Sequence, residues 1–214
     1  NEPGLLLNTN SGIFYEFIPL AEVHLPSPTR LSLGEVQVGE PYALIINSNA
    51  GLWGYSIGDI VKFISIAPYR IIVAGRVKHF ISAFGEHVIG EEVEKAILNV
   101  SKAMQASVVE FTVAPYIQQG HGQSYHEWFI EFEKVPLDMN GFAQQLNENM
   151  CSQNVYYKDL IEGKILAPLH ISVLQKNTFI NYMRSKGKLG GQNKVPRLSN
   201  DRIIADDLMQ YISH

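Results

Sequence analysis

Apolar residues in the first third of the chain come in short runs separated by Gly and Pro. Ile13-Phe14-Tyr15-Glu16-Phe17-Ile18 lies between Ser11-Gly12 and Pro19, the pattern of a short buried strand. Tyr42-Ala43-Leu44-Ile45-Ile46 follows Gly39-Glu40-Pro41, and residues 58–64 and 70–74 form two more runs on either side of Pro68. Several short strands punctuated in this way predict a small twisted barrel or the edge of a sheet.

The pattern changes after Arg76. Ile89, Val93, Ile97 and Val100 recur at helical spacing, and Glu91 and Glu92 supply the negative charge that a helix N-terminus favours. Residues 107–116 and 128–135 read as strands joined through Gly120-His121-Gly122. Residues 140–150 and 157–162 read as helices, 170–174 as a strand, 179–185 as a short helix and 207–212 as a closing one. A mixed sheet carrying helices is the natural assembly, so the fold class is α+β. The switch in pattern puts a tight domain boundary at residues 76–78. Residues 1–77 form a β-rich part and residues 78–214 a small α+β domain.

Composition narrows the function classes. The 214 residues are 46% hydrophobic and 18% charged, with a formal net charge of −4, ordinary values for a globular protein. Residues 1–77 hold four Lys/Arg against six Asp/Glu, and the remainder thirteen against fifteen. No basic excess of the kind nucleic-acid binders show is present. No apolar run approaches the roughly 18 residues of a membrane span. The lone Cys151 has no internal disulfide partner, which points to a reducing, cytoplasmic setting. Asn1-Glu2-Pro3-Gly4 has neither a basic n-region nor an initiator Met, so the chain is expected to be cut from a longer one.

Three segments carry candidate chemistry. In Tyr55-Ser56-Ile57-Gly58-Asp59, the glycine permits a sharp turn of the backbone and the carboxylate can accept from two vicinal hydroxyls at once. Taken singly, Gly58-Asp59 also reads as a turn before a strand. In Gly75-Arg76-Val77-Lys78-His79-Phe80-Ile81, continued by Gly85-Glu86-His87-Val88-Ile89-Gly90-Glu91-Glu92, a strand ends in Gly-Arg and leads through a glycine turn to an acidic helix start. In Lys188-Leu189-Gly190-Gly191-Gln192-Asn193-Lys194-Val195-Pro196-Arg197, two glycines set Lys194 on a loop, where its ammonium can meet a phosphate as a point charge; a solvated basic loop is the plainer reading. His121 and His126 read as residues of one loop with no paired carboxylate, and no metal site is expected from them. His79 and His87 read as packing or hydrogen-bonding residues.

In this order the segments resemble the adenylate-forming superfamily, with closest likeness to the auxin-responsive acyl acid amido synthetases of plants and their bacterial relatives (the Gretchen Hagen type). The resemblance runs from residue 13 to residue 197. It implies an ATP-dependent ligase that activates a carboxylic acid as an acyl-adenylate and passes the acyl group to an amine, usually that of an amino acid. It implies that Asp59 binds the ribose hydroxyls of ATP or AMP, that Arg76 approaches the nucleotide, that Lys78 is the hinge, and that Lys194 contacts the phosphate and the acyl carboxylate. Tyr15 and Phe14 would border the adenine and acyl-acid pockets. The hinge position holds lysine where many members of the superfamily hold aspartate. The family's Ser/Thr/Gly-rich phosphate loop and Ser-Ser-Glu segment are missing from this chain. Both, with the Mg²⁺ ligands, are expected in an amino-terminal domain before Asn1, without which the fragment is expected to be inactive. A coenzyme A ligase, or a non-catalytic α+β binding module, are the alternatives.

Overall fold

The structure, a computed structural model, describes residues 3–77, 80–118, 122–188, 190 and 194–213. The chain divides into two compact units, Asn1–Lys78 and His79–His214.

The first unit is one antiparallel sheet. Its strands are β1 (Leu5–Leu6), β2 (Ile13–Pro19), β3 (Pro41–Ser48), β4 (Tyr55–Ile66) and β5 (Tyr69–Arg76), in the order β1-β5-β4-β3-β2. The sheet is open, with β1 and β2 at its edges, where the sequence pattern left a barrel possible. Alternation within β2 sends Tyr15 and Phe17 to one face, where they pack with Tyr42, Leu44, Val61, Phe63 and Ile71. Phe17, Tyr42, Phe63 and Tyr69 meet edge to face at centroid distances of 5.0–6.2 Å, the arrangement the ring quadrupole favours. A smaller cluster of Ile18, Ala43 and Ile45, with Val77 packed against it, forms a second apolar contact.

The second unit begins with β6 (Phe80–Ile81) and β7 (Val88–Ile89), paired across the turn at residues 82–87. Helix α1 (Gly90–Ala103) follows, starting one residue after Ile89, the first of its apolar spacing, because Val88 and Ile89 are spent in the β6–β7 pair. Glu92 reaches back to accept from the Ile89 N–H at 3.0 Å, satisfying one of the donors a helix start leaves open. Then come β8 (Ser107–Tyr116), β9 (Tyr125–Lys134), α2 (Met139–Gln153), α3 (Val155–Glu162), β10 (His170–Leu174), α4 (Thr178–Ser185) and α5 (Ile203–Leu208). The sheet order is β10-β9-β8, with β9 antiparallel to β8 and parallel to β10, so the sheet is mixed and the fold α+β. Its core joins Val93, Ile97 and Val100 of α1 to Phe111, Trp128, Ile130 and Phe132 of the sheet, and to Phe142, Leu146 and Met150 of α2. The Gly120-His121 part of the predicted β8–β9 loop lies outside the described residues.

The closing helix runs over Ile203–Leu208, with a 3₁₀ turn at Met209–Tyr211, instead of over residues 207–212. Asp201 accepts from the Ile203 N–H at 3.0 Å and so sets the earlier start, while Ile212 leaves the helix to bridge Leu174. His126 is a residue of β9, not of a loop, and it does have a carboxylate partner.

The start of α2 provides a stability test. Asp138 accepts from the Gly141 N–H at 2.9 Å, so Asp138→Ala is expected to cost about 1 kcal/mol in urea unfolding, read as a lower midpoint at unchanged slope.

Candidate active site

Asp59 owes its position to irregularities on both sides of β4. Toward β3, Ala43 pairs with Ile60 and Ile45 with Ser56, so Leu44 alone faces Ile57, Gly58 and Asp59. Gly58 takes φ +80°, in the left-handed region that a side chain disfavours. Toward β5, Ile60 pairs with Gly75 and Val61 with Val73, leaving Ala74 as the extra residue. Bulges of this kind bend a strand and re-aim a side chain. The Gly-Asp dipeptide is therefore a bulge inside a twelve-residue strand, not a turn before one.

The bulges make Asp59 and Arg76 register partners. Arg76 Nε lies 2.8 Å from Asp59 Oδ1, a close approach of charges that lacks hydrogen-bond alignment. The Asp59 side chain is 21% exposed and that of Arg76 62%. A carboxylate offers about four acceptor positions, so the Arg76 contact leaves capacity for a vicinal diol. The donor set of this corner fits the ribose and phosphate ends of a nucleotide. The Val77 N–H donates to the Gly58 carbonyl at 2.8 Å, tying the end of β5 to the same bulge.

The other predicted residues fall elsewhere. Tyr15 packs in the aromatic core and its hydroxyl donates to the Asn8 carbonyl at 3.1 Å. Phe14, on the opposite face of β2, is exposed. Lys78 lies outside the described residues.

Lys194 belongs to the second unit and is exposed. The residues after it are anchored. Val195 is buried against Phe179, Tyr182 and Leu208, and Leu198 is buried in the main core. Thr112 Oγ1 donates to the Pro196 carbonyl at 2.7 Å, the Val113 N–H to the Arg197 carbonyl at 2.9 Å, and the Ser199 N–H to the Val113 carbonyl at 3.0 Å. Residues 196–199 thus cover the free edge of β8, and Lys194 is carried on their rim. Arg197 lies over the Phe111 ring at 4.6 Å and pairs with Glu110 and Glu94. Burial pushes its guanidinium below the ordinary value, against the pull of Glu94.

A feature that sequence reasoning missed sits under the turn at residues 82–87. Glu86 and His126 are both buried, with Oε1 and Nε2 2.8 Å apart. The Phe84 N–H donates to the second carboxylate oxygen at 2.8 Å. Burial pushes the Glu86 carboxyl up, but the hydrogen bond and charge of His126, with the backbone donors, bring it below the usual range. Among the described residues no group of three or more His, Cys, Asp or Glu forms a metal site.

Comparison with known proteins gives the family of the chain. The GH3 family C-terminal domain matches residues 91–203, and the GH3 family central domain matches residues 6–76. The chain belongs to the GH3 family. It is 29% identical over 198 residues to the indole-3-acetic acid-amido synthetase GH3.3 of Arabidopsis thaliana, covering 86% of this chain and 33% of that protein. It is 25% identical over 207 residues to the jasmonoyl–L-amino acid synthetase GH3.5 of Oryza sativa subsp. japonica, covering 87% and 35%. The solved structure of the GH3.15 acyl acid amido synthetase shares the fold, with a TM-score of 0.66 at 19% identity over 94% of this chain and 36% of that one. The chain spans about a third of the length of these two relatives. Among the described residues no helix is long and apolar enough to cross a membrane.

Proposed function

We propose that this chain is the carboxyl-terminal part of an ATP-dependent acyl acid amido synthetase. In this reading, Asp59 and Arg76 bind the nucleotide, Lys194 serves adenylation and Lys78 is the hinge. Residues 1–77 are the end of a large adenylating domain, and residues 78–214 are its small mobile partner. The observation that carries the reading is the Asp59–Arg76 pair, built by two bulges at the end of the region that matches the central domain of the GH3 family.

A carboxylate resists attack by an amine because its leaving group would be oxide. Attack of the acid on the α-phosphate of ATP expels pyrophosphate and gives an acyl-adenylate, whose leaving group is AMP. Negative charge gathers on the phosphate oxygens in that transition state, so a cation placed there stabilises it more than it stabilises the bound acid. Lys194 is the cation assigned to that task. Asp59 holds the ribose and fixes the nucleotide. An amino acid amine then attacks the acyl carbon and AMP leaves with the bonding electron pair. Removing Lys194 between the two steps requires a turn of the small domain, and hinges are a few element-terminal residues that absorb the change in φ/ψ. Mg²⁺, when bound, would neutralise phosphate charge; its ligands belong to the amino-terminal portion.

ATP–pyrophosphate exchange by the intact protein, driven by candidate carboxylic acids, tests the reading. Exchange with at least one acid is expected, and mass analysis of the product with amino acids should give an amide. Formation of a thioester with coenzyme A in place of an amide would overturn the acceptor class.

A further inference from the structure

The turn at residues 82–87 joins β6 to β7 near the start of the second unit, and two ties hold it to the body of that unit. The first is the buried Glu86–His126 pair, which fastens the turn to β9 and closes its own backbone through the Phe84 N–H. The second is Asn200, whose side-chain oxygen accepts from the Ser82 N–H at 3.0 Å. Asn200 lies directly after the segment that covers the edge of β8 and carries Lys194. Ser82 Oγ also meets His87 Nδ1 at 2.7 Å, bracing the turn across its width. A buried charge retained in an apolar core demands a partner, because an unpaired one is strongly destabilising. Here the partner of Glu86 lies forty positions on in β9, and the tie from Ser82 to Asn200 joins the entry of the unit to its far end, 118 positions away.

We propose that Glu86 and Asn200 are positioning residues: they make the entry turn and the Lys194-bearing segment one rigid piece, so that a rotation at the boundary is delivered to Lys194 without slack. The carboxylate of Glu86 holds the turn on the sheet, the sheet holds residues 196–199, and Asn200 closes the loop back to Ser82. The adenylation role of Lys194 is taken from the reading proposed above, and the inference rests on it.

The intact protein carrying Glu86→Ala, Glu86→Gln, Asn200→Ala or Asn200→Asp provides the test. Gln keeps an oxygen for the Phe84 N–H and a polar head for His126; Asp keeps the acceptor for Ser82. Acyl-adenylate formation is expected to fall about tenfold in Glu86→Ala and about threefold in Asn200→Ala, at unchanged KM for ATP, and to recover in Glu86→Gln and Asn200→Asp. Asn200 is exposed, so its variants keep the fold even where Glu86→Ala loses it. Hydrogen exchange at the amides of Lys194, Val195, Arg197 and Leu198 reads the tie without ATP and should quicken in both alanine variants. Unchanged exchange and unchanged adenylation in folded variants would overturn the proposal. Wild-type protein that exchanges no pyrophosphate with any acid would instead overturn the ligase reading, and with it the positioning role, even if the amides quicken.

Discussion

Lys194→Ala in the intact protein is expected to lower acyl-adenylate formation by about a hundred- to a thousandfold, the roughly 3–4 kcal/mol lost when one preorganised contact to a charged transition state is removed. Amide formation from supplied acyl-adenylate should continue at nearly the wild-type rate, since in the proposed reading the small domain has turned and carried Lys194 away from the phosphate before AMP leaves. The fold should be untouched. Lys194 is exposed, and the main chain after it is held by Thr112, Val113 and the burial of Val195 and Leu198. Surface substitutions away from such anchors usually stay within about 0.5 kcal/mol. Lys194→Arg should restore only part of the rate, because a planar guanidinium does not reproduce the compact ammonium. Separate assays of the two half-reactions decide the matter, and equal loss in both would refute the assignment.

Much of this was readable in the sequence because its signals are local. β2 shows its apolar alternation between Gly12 and Pro19, and α1 shows its apolar spacing and its acidic first turn without help from any other element. The mixed sheet followed from the same reasoning. What escaped depends on pairing between distant residues. Nothing in Tyr55-Ser56-Ile57-Gly58-Asp59 says that three of its residues will face Leu44 alone, so the dipeptide read as a turn. His126 precedes Glu127 and Trp128 in a stretch that reads half loop and half strand. Only the arrival of Glu86 from forty residues upstream explains how an imidazole is accommodated there. The one signal available was a glutamate placed beside Gly85 in an apolar neighbourhood, which suits solvent as well as it suits burial. The late helix was misplaced for the opposite reason: its start is set by a local contact, Asp201 to the Ile203 N–H, that apolar spacing does not register.

Asp59 and Arg76 were read as parts of two separate motifs, and their meeting across β4 and β5 changes what a substitution at Asp59 should do. Asp59→Asn keeps the shape of the side chain, exchanges one acceptor oxygen for a donor and removes the charge. A hydrogen bond to a charged group contributes about 1.5–3 kcal/mol, so the dissociation constant for ATP should rise roughly ten- to a hundredfold, measured by calorimetry on the intact protein. The loss of the Arg76 contact adds little to stability, because ion pairs this exposed contribute about 0–1 kcal/mol. Nucleotide affinity should therefore fall in a protein that melts near the wild-type temperature. A double cycle with 2′-deoxy-ATP identifies the atom concerned. If Asp59 accepts from the ribose hydroxyls, the deoxy ligand binds weakly to the wild type and the two losses combine to less than their sum in Asp59→Asn, since both changes remove the bond to the 2′-hydroxyl. Additive losses would mean that the carboxylate acts only by holding Arg76. Arg76→Gln separates that case, because it would then reproduce the whole effect of Asp59→Asn, whereas a ribose-binding carboxylate keeps its share of the affinity when its cationic neighbour is gone.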